Sequence, residues 1–234
     1  MEPYSNLKNL QTALFNRKIS IVDVVQSFIN KIENNDHNIF LETFREESLK
    51  SAVKIDEKIK NKTAGKLAGL VVGIKDNICY KNHKVSAASK ILNNFHSTYS
   101  ATVLDRLINE DAIIIGRINC DEFAMGSTNE NSVYGPVKNP LNPLLTPGGS
   151  SGGCAAAISA KLCHVTLGSD TGGSVRQPAA FCGVIGLKPS YGMISRHGLI
   201  AYASSFDQIG PLGSSIYDID KVMEVICAVS YTHL

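Results

Sequence analysis

No C-x-x-C pair occurs among the six cysteines (Cys79, Cys120, Cys154, Cys163, Cys182 and Cys227). That removes zinc clusters and a dense disulfide framework, and it fits buried thiols in a reducing compartment. Charge of one sign is lacking too. Against 21 acidic residues stand 23 basic ones, a net charge of +2, so no global field draws the chain to nucleic acid or an anionic membrane. An RNA partner is expected only through a local patch or another subunit. The apolar runs are far shorter than a bilayer span, and the opening MEPYSNLKNL lacks a basic region followed by an apolar core. A cytoplasmic protein without membrane contact is expected. None of the histidines (His37, His83, His96, His164, His197, His233) joins a motif, so no Ser-His-Asp triad can be assembled; His164, in an apolar strand, reads as a core residue.

What is present is a globular chain of 234 residues, 44% hydrophobic and 19% charged, enough for one sizeable core or two small ones. Its organising stretch runs from Pro147 to Pro178 and sets two serines among glycines, Ser150 in GGSSGG and Ser174 in DTGGSVRQP. Glycines beside a serine let a substrate approach the main chain closely, at an entropic cost that ordinary turns rarely need twice in so short a span. A flexible linker is the plainer reading, but Ala155–Ile158 and Val165–Leu167 interrupt the stretch as buried helix and strand.

Around this stretch the patterning alternates helix and strand. Leu7, Leu10 and Leu14 share a helical face, and a second helix starts at Ser20 with Asp23 as an acidic variant of the capping box. Ile39–Phe44 reads as a strand and Ser48–Lys60 as a solvent-facing helix; residues 1–62 form a helical support segment within the domain. A short apolar strand then ends on Lys75. Ser86–Ser100 reads as loop, Ala101–Asn109 as helix, and Ala112–Ile118 as a buried parallel strand. Val175–Phe181 is a short helix, Gly183–Pro189 another buried strand, Gly192–Phe206 loop and short strand, and Ile216–Val229 an amphipathic helix. The pattern predicts an α/β layered fold with crossover connections.

Lys75, at the end of a buried strand, is expected to be partly desolvated, which favours the neutral amine and makes it a base. Taken alone, the feature is commoner in a surface lysine leaving a strand. The serines change that balance, because a serine nucleophile without histidine needs another base and lysine is the known variant. In the relay, Lys75 takes the proton of Ser150, which takes that of Ser174. The amides of Thr171, Gly172, Gly173 and Ser174 are suited to cradle an oxyanion. Phosphate binding at GGSSGG is the rival reading, but the lysine of a P-loop is absent after Gly152-Gly153. Asp121 and Glu122, adjacent and pointing apart, read as capping residues rather than an acid/base pair.

Three segments resemble the amidase signature family: Gly73-Ile74-Lys75-Asp76-Asn77, Pro147 to Gly153, and Gly168 to Pro178. The resemblance implies an α/β amidase-signature core, a mixed β-sheet surrounded by helices, of which this chain is expected to be the N-terminal portion. It also implies a Ser–cis-Ser–Lys triad, with Ser174 as nucleophile, Ser150 as the bridging serine on a cis peptide and Lys75 as base. Met125, Gly126 and Ser127 are then expected to line the acyl pocket, and Ser151, Asp170 and Arg176 to brace the site.

Within the family the chain is most similar to the glutaminase components of the glutamyl-tRNA(Gln)/aspartyl-tRNA(Asn) amidotransferases, through Asp121 to Ser127 with Glu130-Asn131-Ser132, Phe181 to Pro189, and Ser204 to Pro211. That likeness implies a glutaminase whose ammonia passes to a B subunit working on mischarged tRNA, in a complex with B and C subunits. No metal or cofactor is expected on this chain, ATP and Mg²⁺ being used by the complex. Tyr231-Thr232-His233-Leu234 does not resemble the family's continuation.

Overall fold

The computed structural model describes residues 6–227; Tyr231 to Leu234, and Val229 at the end of the expected last helix, lie outside them. The chain opens with α1 (Leu7–Phe15) and α2 (Ile21–Glu33), each started by a side-chain cap from Asn6 and Ser20. Ser20 Oγ accepts the Asp23 N–H and donates to Asp23 Oδ2 at 2.7 Å, as the capping pair predicts. β1 (Phe40–Thr43) follows, then α3 (Arg45–Lys60). Helix α3 begins three residues before the expected Ser48. Ser48 reads as a cap, but it lies buried in the first turn and its hydroxyl donates back to the Phe44 carbonyl at 2.7 Å.

The remaining elements are β2 (Val71–Lys75), α4 (Thr102–Asn109), β3 (Ile113–Ile118), α5 (Gly152–Ser159), β4 (Val165–Asp170), α6 (Arg176–Phe181), β5 (Ile185–Gly186), β6 (Gln208–Gly213) and α7 (Ile216–Ile226). They form one mixed sheet in the order β1-β3-β2-β4-β6-β5. Strands β3, β2 and β4 run parallel at its centre, while β1, β6 and β5 are antiparallel to their neighbours. The three parallel strands are buried along their whole length, as continuous apolar runs require. The expected strand over Gly183–Pro189 shrinks to half-buried Ile185–Gly186. Its place is taken by β6, whose Gly210-Pro211 reads as a turn in sequence but pairs with Leu167 and Gly168 of β4.

Helix α5 packs on β4, β2 and β6 through Cys154, Ala155, Ala156 and Ala157, all fully buried. Their small side chains let the helix lie close to the sheet, which brings its N-terminus against the C-terminal ends of β2 and β4. Helices α2 and α3 cover β1 and β3, with Asp56 of α3 accepting the Ile21 amide at 3.0 Å, and α7 joins α4 and α1 at the other end. No helix among the described residues is long and apolar enough to cross a membrane.

Candidate active site

β2 and β4 are adjacent and parallel, with Ile74 opposite Leu167, so their C-terminal ends deliver Lys75 and Ser169 side by side. Ser151, at the N-terminus of α5, faces both strands. Lys75 is completely buried. Its Nζ lies 2.7 Å from Ser150 Oγ, 3.0 Å from Ser151 Oγ and 2.9 Å from Ser169 Oγ. Burial lowers its pKa from the ordinary lysine value, opposed by the field of Cys120, Cys154, Asp121 and Asp170. A buried amine among three hydroxyls is the environment in which a neutral lysine accepts a proton.

Ser150 is also fully buried, and the Gly149–Ser150 peptide is cis. Its carbonyl accepts the Asp121 N–H at 3.2 Å. Ser174 is half-buried on the loop after β4, and its carbonyl accepts the Ser151 N–H at 3.1 Å, which sets the two glycine-rich loops against each other.

The Ser174 loop is shaped by Asp170. Its carboxylate accepts the amides of Gly173 (2.9 Å), Val175 (3.0 Å) and Arg176 (3.3 Å), and both Nε and Nη2 of Arg176 (3.1 and 3.0 Å). Burial pushes the Asp170 pKa up, but the Arg176 side chain and these amides outweigh it and hold the carboxyl below its usual value. The Gly173 amide is thereby occupied, so of the four expected oxyanion donors it is already committed to Asp170. Gly173 takes φ +133°, a conformation open to glycine, and a Cβ on Gly172 or Gly173 would meet nothing within 4 Å. Thr171 donates its hydroxyl to Asp207 Oδ1 at 2.5 Å; Asp207 also accepts the Tyr202 and Ala203 amides.

Met125 is 59% exposed, Ser127 is exposed, and Gly126 packs on Asp121. Asp121 makes no side-chain cap on the short helical turn Glu122–Ala124 that follows it. It is instead fully buried, and accepts the amides of Asn129 (3.0 Å) and Asn131 (3.2 Å). Three further residues were not singled out by the sequence. Ser169 completes the lysine's ring of hydroxyls, Asn77 donates to Ser169 Oγ at 3.0 Å, and Asp76 pairs with Arg117 while holding the Ser86 and Ala88 amides. A sequence signal existed for Asp76 and Asn77, which sit directly beyond Lys75. Among the described residues no group of three or more His, Cys, Asp or Glu side chains is placed to hold a metal ion.

A family model described as Amidase matches residues 23–231. The chain belongs to the amidase family. This amidase-family chain is 50% identical over 225 residues to the glutamyl-tRNA(Gln) amidotransferase A-chain protein of Chlorobium phaeobacteroides, covering 95% of the chain and 47% of that protein. It is 51% identical to the protein of the same name from Salinibacter ruber, covering 95% and 44%. Among solved structures, the corresponding glutamyl-tRNA(Gln) amidotransferase component of Thermotoga maritima is 38% identical, with a TM-score of 0.76, over 92% of the chain and 48% of that protein. Peptide amidase of Stenotrophomonas maltophilia is 29% identical, with a TM-score of 0.92, over 98% and 49%. The chain thus spans about half the length of the curated relatives it matches.

Proposed function

We propose that the chain carries the catalytic centre of a glutamine amidohydrolase that supplies ammonia for converting Glu-tRNA(Gln) to Gln-tRNA(Gln), and Asp-tRNA(Asn) to Asn-tRNA(Asn) where that reaction is run. The observation that carries the reading is the completely buried Lys75 amine, 2.7 Å from Ser150 Oγ, on the loop locked to Ser174. Relatives named as glutamyl-tRNA(Gln) amidotransferase components, at about half identity, support the choice of substrate.

In this mechanism neutral Lys75 takes the Ser150 proton as Ser150 takes that of Ser174, and Ser174 Oγ attacks the glutamine carboxamide carbon. The oxyanion is met by the amides of Thr171, Gly172 and Ser174, Gly173 being held by Asp170. As the C–N bond breaks, the proton returns through Ser150 to the leaving ammonia. Water then attacks the acyl-Ser174 ester, releasing glutamate and restoring the hydroxyl. Met125, Gly126 and Ser127 form the acyl pocket, and Ser151, Asp170 and Arg176 hold the catalytic loops. Ammonia passes to B and C subunits, the B subunit using ATP and Mg²⁺ on the mischarged tRNA; this chain binds no cofactor. The protein works in the cytoplasm.

A stand-alone amidase is the second reading, favoured by the TM-score of 0.92 to peptide amidase. Ammonia release from glutamine, asparagine and simple amides, by the chain alone and with its B and C partners, separates the two. Preference for glutamine, with glutamyl hydroxamate formed in hydroxylamine, supports the first; equal rates on unrelated amides, unaffected by partners, support the second.

A further inference from the structure

We propose that Asn77 is a positioning residue that sets, through Ser169, which serine hydroxyl faces the lone pair of Lys75. The inference rests on the reading of Lys75 as the base. Asn77 is 1% exposed, its Nδ2 donates to Ser169 Oγ at 3.0 Å, and its Oδ1 has no hydrogen-bond partner. Ser169 Oγ therefore lies between two nitrogens, 2.9 Å from Lys75 Nζ on its other side.

A neutral amine offers two N–H groups and one lone pair to the three hydroxyl oxygens around it. Ser151 gives its proton to the Ser169 carbonyl at 3.1 Å, so it can only accept from Lys75. The lone pair is left to Ser150 or Ser169. While the Asn77 N–H fills one lone pair of Ser169 Oγ, the Ser169 proton finds its acceptor in Lys75, and Ser150 is left without a base. A half turn of the carboxamide exchanges Nδ2 for Oδ1 in nearly the same place. Ser169 then donates to Oδ1 and accepts from Lys75, and the lone pair faces Ser150.

That turn also gives the bare, buried Oδ1 a donor, and a buried polar atom without one is costly. Asn77 thus selects between a resting and a proton-accepting arrangement without touching substrate. The other groups facing Lys75 are Asp121 and Cys120 beyond β3, Cys154 of α5 and Asp170 of β4. Neighbouring Asp76 is paired with Arg117 at 2.7 Å.

The test compares wild type, Asn77→Leu, Asn77→Asp, Ser169→Ala and the Asn77→Leu/Ser169→Ala double variant. Two quantities are read: kcat and KM for ammonia release against pH, and the titration of Lys75 by NMR on ¹³C-lysine protein, its resonance assigned with Lys75→Arg. Asn77→Leu is expected to lower kcat about tenfold with KM unchanged. The double variant is expected to be no slower than the slower single one, since Asn77 acts through Ser169. Asn77→Asp is expected to move the acid limb and the Lys75 titration to higher pH by about one unit or more, because a carboxylate there favours the ammonium. Losses that multiply in the double variant, or an Asn77→Asp protein that titrates as wild type does, would overturn the proposal. Should Asn77→Leu fail to fold, Asn77→Asp and its titration decide alone. The NMR arm needs no substrate, so a wild type that releases no ammonia counts against the function proposed above, while the Asn77→Asp titration still decides the role of Asn77.

Discussion

The Asp121 carboxylate occupies the space that a side chain on Gly149 would need: a Cβ built there overlaps Asp121 Oδ2 and stands 2.8 Å from the Thr128 nitrogen. The residue before the cis peptide is thus glycine because a buried carboxylate tying down residues 129 and 131 lies against it. Gly149→Ala is expected to destabilise the protein by about 1–3 kcal/mol, the usual cost of overpacking, and to abolish amide hydrolysis by displacing Ser150. Urea unfolding and ammonia release check the two halves. Unchanged stability would mean that Asp121 moves aside freely.

Lys75 costs the fold stability at neutral pH, since burial lowers its pKa. The folded state then binds fewer protons than the unfolded one between that lowered value and about 10.4, so stability rises with pH across this window. Lys75→Met, which never charges, is expected to be more stable than wild type at neutral pH, with the gain shrinking as pH rises toward 10. Activity should fall about a thousandfold or more. Thermal melts between pH 6 and 10 check the sign.

Asp170 has the opposite linkage. Its folded pKa is held low, so the stabilisation from its partners is present above the unfolded carboxylate value and lost as pH falls through the folded one. Arg176 is half exposed, so Arg176→Ala is expected to cost only about 1 kcal/mol at pH 7, and the difference from wild type to vanish below about pH 3. Denaturant midpoints at the two pH values measure this.

How much of this was legible in sequence follows from distance along the chain. Lys75, Ser150 and Ser174 stand out because each sits in a local pattern, a strand end or a glycine cluster, that ordinary structure does not need. The buried parallel strands were legible for the same reason: Ile113–Ile118 is a continuous apolar run. Ser169, Asn77 and Asp121 act only once β2 lies beside β4 and the Asp121 loop folds over Gly149, contacts that no local pattern encodes. Strand β6 was hidden by Pro211, which sits where its carbonyl, accepting Leu187 N–H at 3.0 Å, is what the sheet edge uses.

Away from the site, Asp218 of α7 is fully buried, holds the Leu7 amide at 2.9 Å with Oδ1, and leaves Oδ2 without a partner. Burial pushes its pKa up to about 6, opposed by the Leu7 hydrogen bond. The folded state keeps this proton longer than the unfolded one, so stability falls as pH rises from about 4 to about 6. Asp218→Asn is expected to gain on the order of 1–3 kcal/mol over wild type at pH 8 and nothing at pH 4. Equal melting temperatures at pH 8 would show that the carboxylate is solvated after all.

The central claim is that Ser174, activated through Ser150 by a neutral Lys75, cleaves the glutamine amide. It is tested most directly by ammonia release from glutamine, with the purified chain alone and with its B and C partners, beside Ser174→Ala. The account predicts release by the wild type, lost in Ser174→Ala although that variant melts as the wild type does. Equal release by the two proteins would contradict it.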